Sequence, residues 1–256
     1  MSFKYFGASD GDMPFLDHLE ELRWRILWSL IAIVLFSLIG FFLVIRFDVL
    51  GILEAPIEPF LDGSKLKYLN PTVPFFISLK LALAVGLLLA SPIVGYQTWA
   101  FLAPALRPNE KRAILPTLTF GLVLFASGVA MAYYVALPMT LEFTMGFQTA
   151  SLEQSIVIDQ YLSFVIRLLV AFGIVFEMPV LILALTAVGL VTPEFLVDKR
   201  RHAIAAITIV SSLVTPGDVV TITVLMMVPL VLLYEVSIIL SKLVVRGRTS
   251  PVALTG

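Results

Sequence analysis

The sequence predicts an all-α, polytopic membrane protein with six transmembrane helices, both termini cytoplasmic, and helices five and six short. Three observations predict it. Hydrophobic residues make up 59% of the 256 positions and charged residues 14%, against about 45–50% and about 25% in soluble domains. The apolar residues fall in long blocks, and the mean hydropathy is +1.01. The basic residues gather between alternate blocks. Composition also excludes several classes. Gly and Pro, at 15 each, are too few for a fibrous or disordered chain. A net charge of −1 gives no electrostatic footprint for nucleic acid. With no Cys and only His18 and His202, disulfide scaffolds, thiol enzymes, iron–sulfur clusters and typical zinc sites are excluded. No cofactor or metal is expected.

A bilayer core of about 30 Å needs about 20 apolar residues in a helix. Ahead of the first block, Leu16, Leu19, Leu22 and Ile26 recur at three- and four-residue spacing. They predict an amphipathic helix on the cytoplasmic surface, with Pro14 in its first turn. Span one is Leu27–Ile45, interrupted only by Ser29 and Ser37. It is longer than a signal-peptide core and no A-x-A-like site follows, so it reads as an uncleaved span. The loop 47–74 holds Pro56, Pro59, Pro71 and Pro74 and is expected to be structured. Span two is Phe75–Phe101, with Lys80 inside it. Asn109 or Pro108 is expected to start the third helix, whose charge-free span is Ala113–Leu137. Span four, Tyr161–Leu190, contains Arg167 and Glu177. Span five, Ala203–Val214, offers only about 18 Å of helix at 1.5 Å per residue. The turn signal Thr215-Pro216-Gly217-Asp218 leads into span six, Val219–Leu240. No soluble domain and no convincing internal repeat is present. The chain reads as one integral membrane domain over 1–256: a cytoplasmic segment 1–26, a bundle 27–240 and a tail 241–256.

Orientation follows from the basic residues. Twelve of the 17 (Lys4, Arg23, Arg25, Arg107, Lys111, Arg112, Lys199, Arg200, Arg201, Lys242, Arg246 and Arg248) fall on one side. Arg46, Lys65 and Lys67 fall on the other, and Lys80 and Arg167 lie within spans. The positive-inside rule puts both termini in the cytoplasm. A re-entrant hairpin in place of spans five and six would have the same parity.

Three places could carry chemistry. On the amphipathic helix, Asp17, His18, Glu20 and Glu21 share the polar face, and Glu21 and Arg25 form an i,i+4 pair. The plain reading is a solvated helix face; the functional one is an anionic site for a basic ligand. Glu110, beside Lys111 and Arg112, either complements a helix dipole or serves a similar site. Glu177 lies near the middle of span four, where a carboxylate costs on the order of 3 kcal/mol even on lenient scales. It either bonds a neighbouring helix structurally or serves a function, with Pro179 beside it able to bend the helix. Arg167, about 15 Å away along the axis, is no natural partner for it; Arg167 and Lys80 are expected to snorkel to the outer interface. His202 reads as an interfacial residue. No H-E-x-x-H, G-x-S-x-G or P-loop is present, so no enzyme is indicated.

The order of several motifs resembles the TatC family of twin-arginine protein translocases. They are His18-Leu19-Glu20-Glu21-Leu22-Arg23, Ala55-Pro56, Ser91-Pro92-Ile93-Val94, Gln97-Thr98-Trp99-Ala100-Phe101 and Ala103-Pro104-Ala105-Leu106 through Glu110-Lys111-Arg112. Tyr161-Leu162-Ser163-Phe164, Phe172-Gly173 through Phe176-Glu177-Met178-Pro179, and Thr215-Pro216 with Asp218 continue the match. It runs from Pro14 to about Lys242. The resemblance implies six spans, which decides against the re-entrant hairpin, in a cupped, concave bundle of the bacterial inner membrane. It implies binding of twin-arginine signal peptides of folded proteins at the cytoplasmic face through Glu21 and Glu110, shaped by Arg23, Phe101 and Lys111. Glu20 and Asp17 stand beside Glu21, so the partner of the first arginine is the least defined part of that match. The resemblance further implies an oligomeric complex with TatA- and TatB-type single-span subunits. These would dock on helices five and six and through polar contacts involving Glu177, with Pro56 and Asp218 as related positions, in transport driven by the proton-motive force. The competing reading from another class is a secondary transporter carrying protons or ions on Glu177 and Asp218; a membrane hydrolase lacks any nucleophile–base pair.

Overall fold

The computed structural model describes residues 15–61, 63–102, 114–146, 155–214 and 220–249. Among them the chain is helical apart from short connections and one isolated parallel bridge, Lys67 with Val157. Five stretches are long and apolar enough to cross a bilayer: Asp17–Arg46, Val73–Phe101, Pro116–Gly146, Ile158–Val188 and Met226–Val245. The remaining expected span is a shorter helix between the last two.

Helix α1 (Phe15–Arg46) corrects one expectation. The amphipathic segment and span one are a single unbroken helix rather than a surface helix followed by a span. No Pro or Gly interrupts residues 15–39, so nothing terminates the helix where polarity changes. Its 32 residues reach about 48 Å at 1.5 Å per residue. That exceeds the bilayer core, so the first turns project beyond it. α1 packs along α3 (Val73–Leu102) over most of its length. The two backbones touch where Gly86 faces Ser37: a Cβ on Gly86 would lie 2.5 Å from the Ser37 backbone nitrogen. Close approach through small residues is how helices associate where lipid and side chain are equally apolar.

Loop 47–72 is ordered, as its prolines suggest. It contains α2 (Val49–Glu54) and a 3-10 turn, Glu58–Phe60. All four terminal carbonyls of α2 have partners, which a helix end requires. Ala55 N donates to Gly51 O and Ile57 N to Glu54 O, each at 3.0 Å. Tyr133 Oη donates to Ile52 O at 2.6 Å, and Tyr161 Oη to Leu53 O at 2.7 Å. Downstream, Lys67 N donates to Ile156 O (3.0 Å) and Ile158 N to Lys67 O (2.9 Å), tying the loop to the start of the fourth span.

Proline shapes three spans. In α3, Pro92 cannot donate to Leu88 O, and Ser91 Oγ supplies a bond to that carbonyl at 2.8 Å. Span three runs beyond its charge-free stretch, as α4 (Ile114–Met131), a π turn (Ala132–Ala136) and α5 (Leu137–Gly146). Pro138 deprives Tyr134 O of its helical donor, and the wider π turn sits there. Span four is α6 (Ile158–Phe176) and α7 (Met178–Val188), divided at Glu177. Pro179 has no N–H for Val175 O, and Glu177 N bonds back to Ile174 O at 3.1 Å in a tightened turn.

After α7 come α8 (Pro193–Asp198), α9 (Arg200–Val214) and α10 (Val220–Thr249). α9 is span five. Its 15 residues exceed the expected 12 or so, yet reach only about 22 Å. Span six is longer than expected. Tyr234 Oη to Leu196 O and Arg200 Nη2 to Glu235 Oε2, both 2.7 Å, fasten α8 and α9 to α10.

The helices pack chiefly in neighbouring pairs. α1 leans chiefly on α3; α3 meets α4 and α6; α4 packs on α6; α7 packs on α10; α10 packs on α9. The most apolar stretch of α1 is 17% buried and that of span four 50%. Span one is therefore peripheral and span four central, with apolar side chains such as Leu38 and Phe42 of α1 facing outward toward lipid. The main core joins Ile57, Ile77, Leu137, Leu162, Leu168 and Met226, so the loop helix α2 and its following turn are packed into the bundle rather than laid on it.

Candidate functional site

The first turns of α1 and the last turn of α3 meet on one face of the bundle, the face that carries the start of α1. The antiparallel α1–α3 pairing brings them together across about 80 residues of sequence. His18 stacks on Phe101, with ring centroids 4.3 Å apart and planes 11° from parallel. His18 Nδ1 lies 3.6 Å from Glu21 Oε2. Arg25 donates to Glu21 Oε1 from Nε at 2.8 Å and also from Nη2. Arg25 Nη1 donates to Gln97 Oε1 of α3 at 3.3 Å. The two bonds from Arg25 fall on one oxygen of Glu21. The other, Oε2, is buried and has no hydrogen-bond partner among the described residues. A buried carboxylate oxygen without a donor is costly, and this one is oriented toward the imidazole and the Phe101 end of α3. Arg23 is exposed on the same helix, and Asp17 and Glu20 are exposed.

Glu21, Arg23 and Phe101 are thus on one face of the bundle, and Phe101 is joined to Glu21 through His18. Glu110 and Lys111 lie outside the described residues, as do Asp218 and the turn before it. Sequence reasoning had the i,i+4 pair of Glu21 and Arg25. It missed the roles of His18, Gln97 and Arg25 in joining two helices. The His18/Glu21 spacing was visible; the contacts with Phe101 and Gln97 were not, because they depend on how α1 and α3 are offset.

Glu177 sits at the break between α6 and α7, half-buried and turned toward α4. A Cβ on Gly121 would come 2.9 Å from its Oε2. Among the described residues no hydrogen bond or ion pair reaches its carboxylate. The glycine therefore makes the room the carboxylate occupies. A few turns along, the same two helices touch at Gly128, where a Cβ would lie 2.8 Å from Phe172 O.

Pro56 is half-buried in the turn between α2 and the 3-10 turn; the next residue, Ile57, is 0% exposed and plugs the main core. Lys80 departs from expectation. It does not simply snorkel: Nζ pairs with Asp159 Oδ1 at 2.6 Å and Ser163 Oγ at 3.1 Å at the start of α6. The pair is exposed, so it is worth no more than about 1 kcal/mol. Arg167 and His202 are exposed, the latter in the first turn of α9. Beyond the spans, burial and the nearby Asp48 push the Glu54 carboxyl up from its ordinary value, with Lys65 opposing. No group of His, Asp and Glu side chains able to hold a metal occurs among the described residues.

Residues 17–229 match the family model for the Sec-independent protein translocase protein TatC. TatC of Aquifex aeolicus is 42% identical over 238 residues, covering 92% of this chain and 98% of that protein. TatC of Escherichia coli K12 is 37% identical over 238 residues, covering 92% and 91%. A crystal structure of the twin arginine translocase receptor TatC superposes with a TM-score of 0.79 at 42% identity, covering 90% of this chain and all of that one. The motif order, the polytopic helical fold and these likenesses over nearly the whole length agree: the chain belongs to the TatC family and is a multi-pass membrane component of the twin-arginine protein translocase, not an enzyme.

Proposed function

We propose that this chain is the receptor and core subunit of its translocase, binding the arginine pair of signal peptides on folded cargo at the face that carries the start of α1. The single observation that carries this is Glu21: its Oε2 is buried beside His18 and Phe101 with no hydrogen-bond donor among the described residues. An arginine guanidinium supplies charge-assisted N–H donors in a planar fork that matches a carboxylate, which a lysine ammonium does not. Two carboxylates read two arginines. Glu110, eight positions after the last residue of α3, is the second, with Arg23, Phe101 and Lys111 shaping the site.

The bias of basic residues puts that face, and both termini, in the cytoplasm, with the chain in the bacterial inner membrane. The apolar part of the signal lies along the concave side of the bundle, toward Glu177. TatA- and TatB-type single-span subunits dock on the short α9 and on α10. Glu177, which lacks an internal partner among the described residues, gives them a polar contact, with Pro56 and Asp218 as related positions. The assembly is oligomeric and draws on the proton-motive force.

The test is photo-crosslinking and equilibrium binding of a synthetic twin-arginine peptide to the purified protein in nanodiscs. Glu21→Ala and Glu110→Ala should each weaken binding while leaving the protein monodisperse. Unchanged crosslinking to both variants overturns the proposal.

A further inference from the structure

We propose that Arg25 is an internal occupant of the Glu21 carboxylate, a stand-in for the incoming arginine that a ligand must displace. This rests on the reading that Glu21 receives an arginine of the signal peptide. Arg25 already makes with Glu21 the kind of contact assigned to the ligand. Nε and Nη2, the side-on pair of the guanidinium, both donate to Oε1. Glu21 and Arg25 side chains are 19% and 24% exposed, so the pair is largely shielded from water and salt. A second acceptor waits beside it: Gln97 Oε1, on α3, already takes Nη1 at 3.3 Å. Rotation of Arg25 toward Gln97 leaves its guanidinium bonded while exposing Oε1. The arriving side chain then finds Oε1 released and Oε2 without a donor among the described residues.

This arrangement has a consequence for specificity. A ligand that engages both oxygens of Glu21 must replace the two N–H bonds on Oε1. An arginine fork replaces both; an ammonium on a flexible stem replaces them with poorer geometry. The occupant thus sets a threshold that arginine clears more readily than lysine, a form of discrimination by competition rather than by added contact. In the empty site it also keeps Glu21 from standing as an unpaired, partly buried charge.

The experiment measures binding of two synthetic peptides, one with the arginine pair and one with lysines in its place, to the full-length protein in nanodiscs. Arg25→Gln should tighten the arginine peptide about three- to fivefold, as release of a partly shielded ion pair implies. It should tighten the lysine peptide more, narrowing the ratio between them. Arg25→Lys, which keeps the charge but not the fork, should fall between Arg25→Gln and the wild type, and it serves if Arg25→Gln is not monodisperse. In a Glu21→Gln background, Arg25→Gln should have no effect.

Weaker or unchanged arginine-peptide binding in Arg25→Gln overturns the proposal, as does equal tightening with and without Glu21, which would be a bulk charge effect. The underlying reading is tested separately. If Glu21→Gln alone leaves binding unchanged, Glu21 is not the arginine's partner and both fall. If Glu21→Gln weakens binding but Arg25→Gln does not strengthen it, only the occupant is lost.

Discussion

Tyr161→Phe should destabilise the protein more than Tyr133→Phe, although both remove one hydroxyl from the same short helix. Each tyrosine caps one terminal carbonyl of α2, Leu53 and Ile52 respectively, at nearly equal lengths of 2.7 and 2.6 Å. The surroundings differ. Tyr161 is 5% exposed and Leu53 7%, whereas Ile52 is 52% exposed. Water can replace the bond lost at Ile52 but not the one at Leu53. A carbonyl left buried without a donor costs about 1–3 kcal/mol, while an exchange with water costs about 0.5–1 kcal/mol. For a chain of this size, each kcal/mol lowers the melting temperature by about 2–4 °C. Tyr161→Phe should therefore lower it by about 2–12 °C, and Tyr133→Phe by no more than about 4 °C. Thermal denaturation of both variants in one detergent, followed by the monodisperse fraction, gives the comparison. Equal shifts, or a larger one for Tyr133→Phe, would refute the argument that burial of the Leu53 carbonyl decides the cost.

Gly128→Ala should cost about 1–3 kcal/mol by overpacking, because the new methyl meets Phe176 Cγ at 2.7 Å and Phe172 O at 2.8 Å; Gly146→Ala, with nothing within 4 Å, is the neutral control in the same melt. At Glu177, Gln should retain partner subunits nearly as wild type while Leu loses about 1 kcal/mol of association, read by co-purification; equal recovery with both would make the residue's polarity irrelevant. The raised pKa of Glu54 has a sign that can be checked. Between its ordinary value near 4.5 and its raised folded value the folded state holds a proton the unfolded state has released. Stability therefore falls as pH rises through that window and stays lower above it. Glu54→Gln should flatten the melting temperature across the window and raise it at neutral pH; an identical profile would deny the coupling. Finally, a Thr215→Cys probe in this cysteine-free chain should react with an impermeant thiol reagent from the periplasmic side; labelling from the cytoplasm alone would exclude the six-span topology.

The apolar blocks, the gathering of basic residues between alternate blocks and the bend at Pro179 are legible in the sequence, because each acts over one or two helical turns. Spans two and four agree within a few residues for that reason, whereas the helices of spans three and six run on past the expected Leu137 and Leu240 to Gly146 and Thr249. The amphipathic start of α1 is legible as a helix, and its continuity with span one follows because a change in polarity marks where lipid ends but does not break a backbone with no Gly or Pro. Lys80 was read as a lone cation seeking the interface, because Asp159 lies on another helix and only packing sets the two side by side. Glu177 stood out by sequence through the cost of its depth. That it lies against Gly121 depends on the spacing of two helices.

The same division runs through the candidate site. Sequence alone determined that this is a membrane-spanning helical protein, which side its basic residues mark, and that Glu21 shares a helical face with His18 and Arg25. Those properties follow from transfer energies and from 3.6 residues per turn, which are local. Only the tertiary structure decided that Phe101 and Gln97 of α3 reach that face and that Oε2 of Glu21 has no donor among the described residues. Those facts rest on the offset of two long helices, which close contacts such as Gly86 on Ser37 help fix, and no periodicity in either helix encodes an offset.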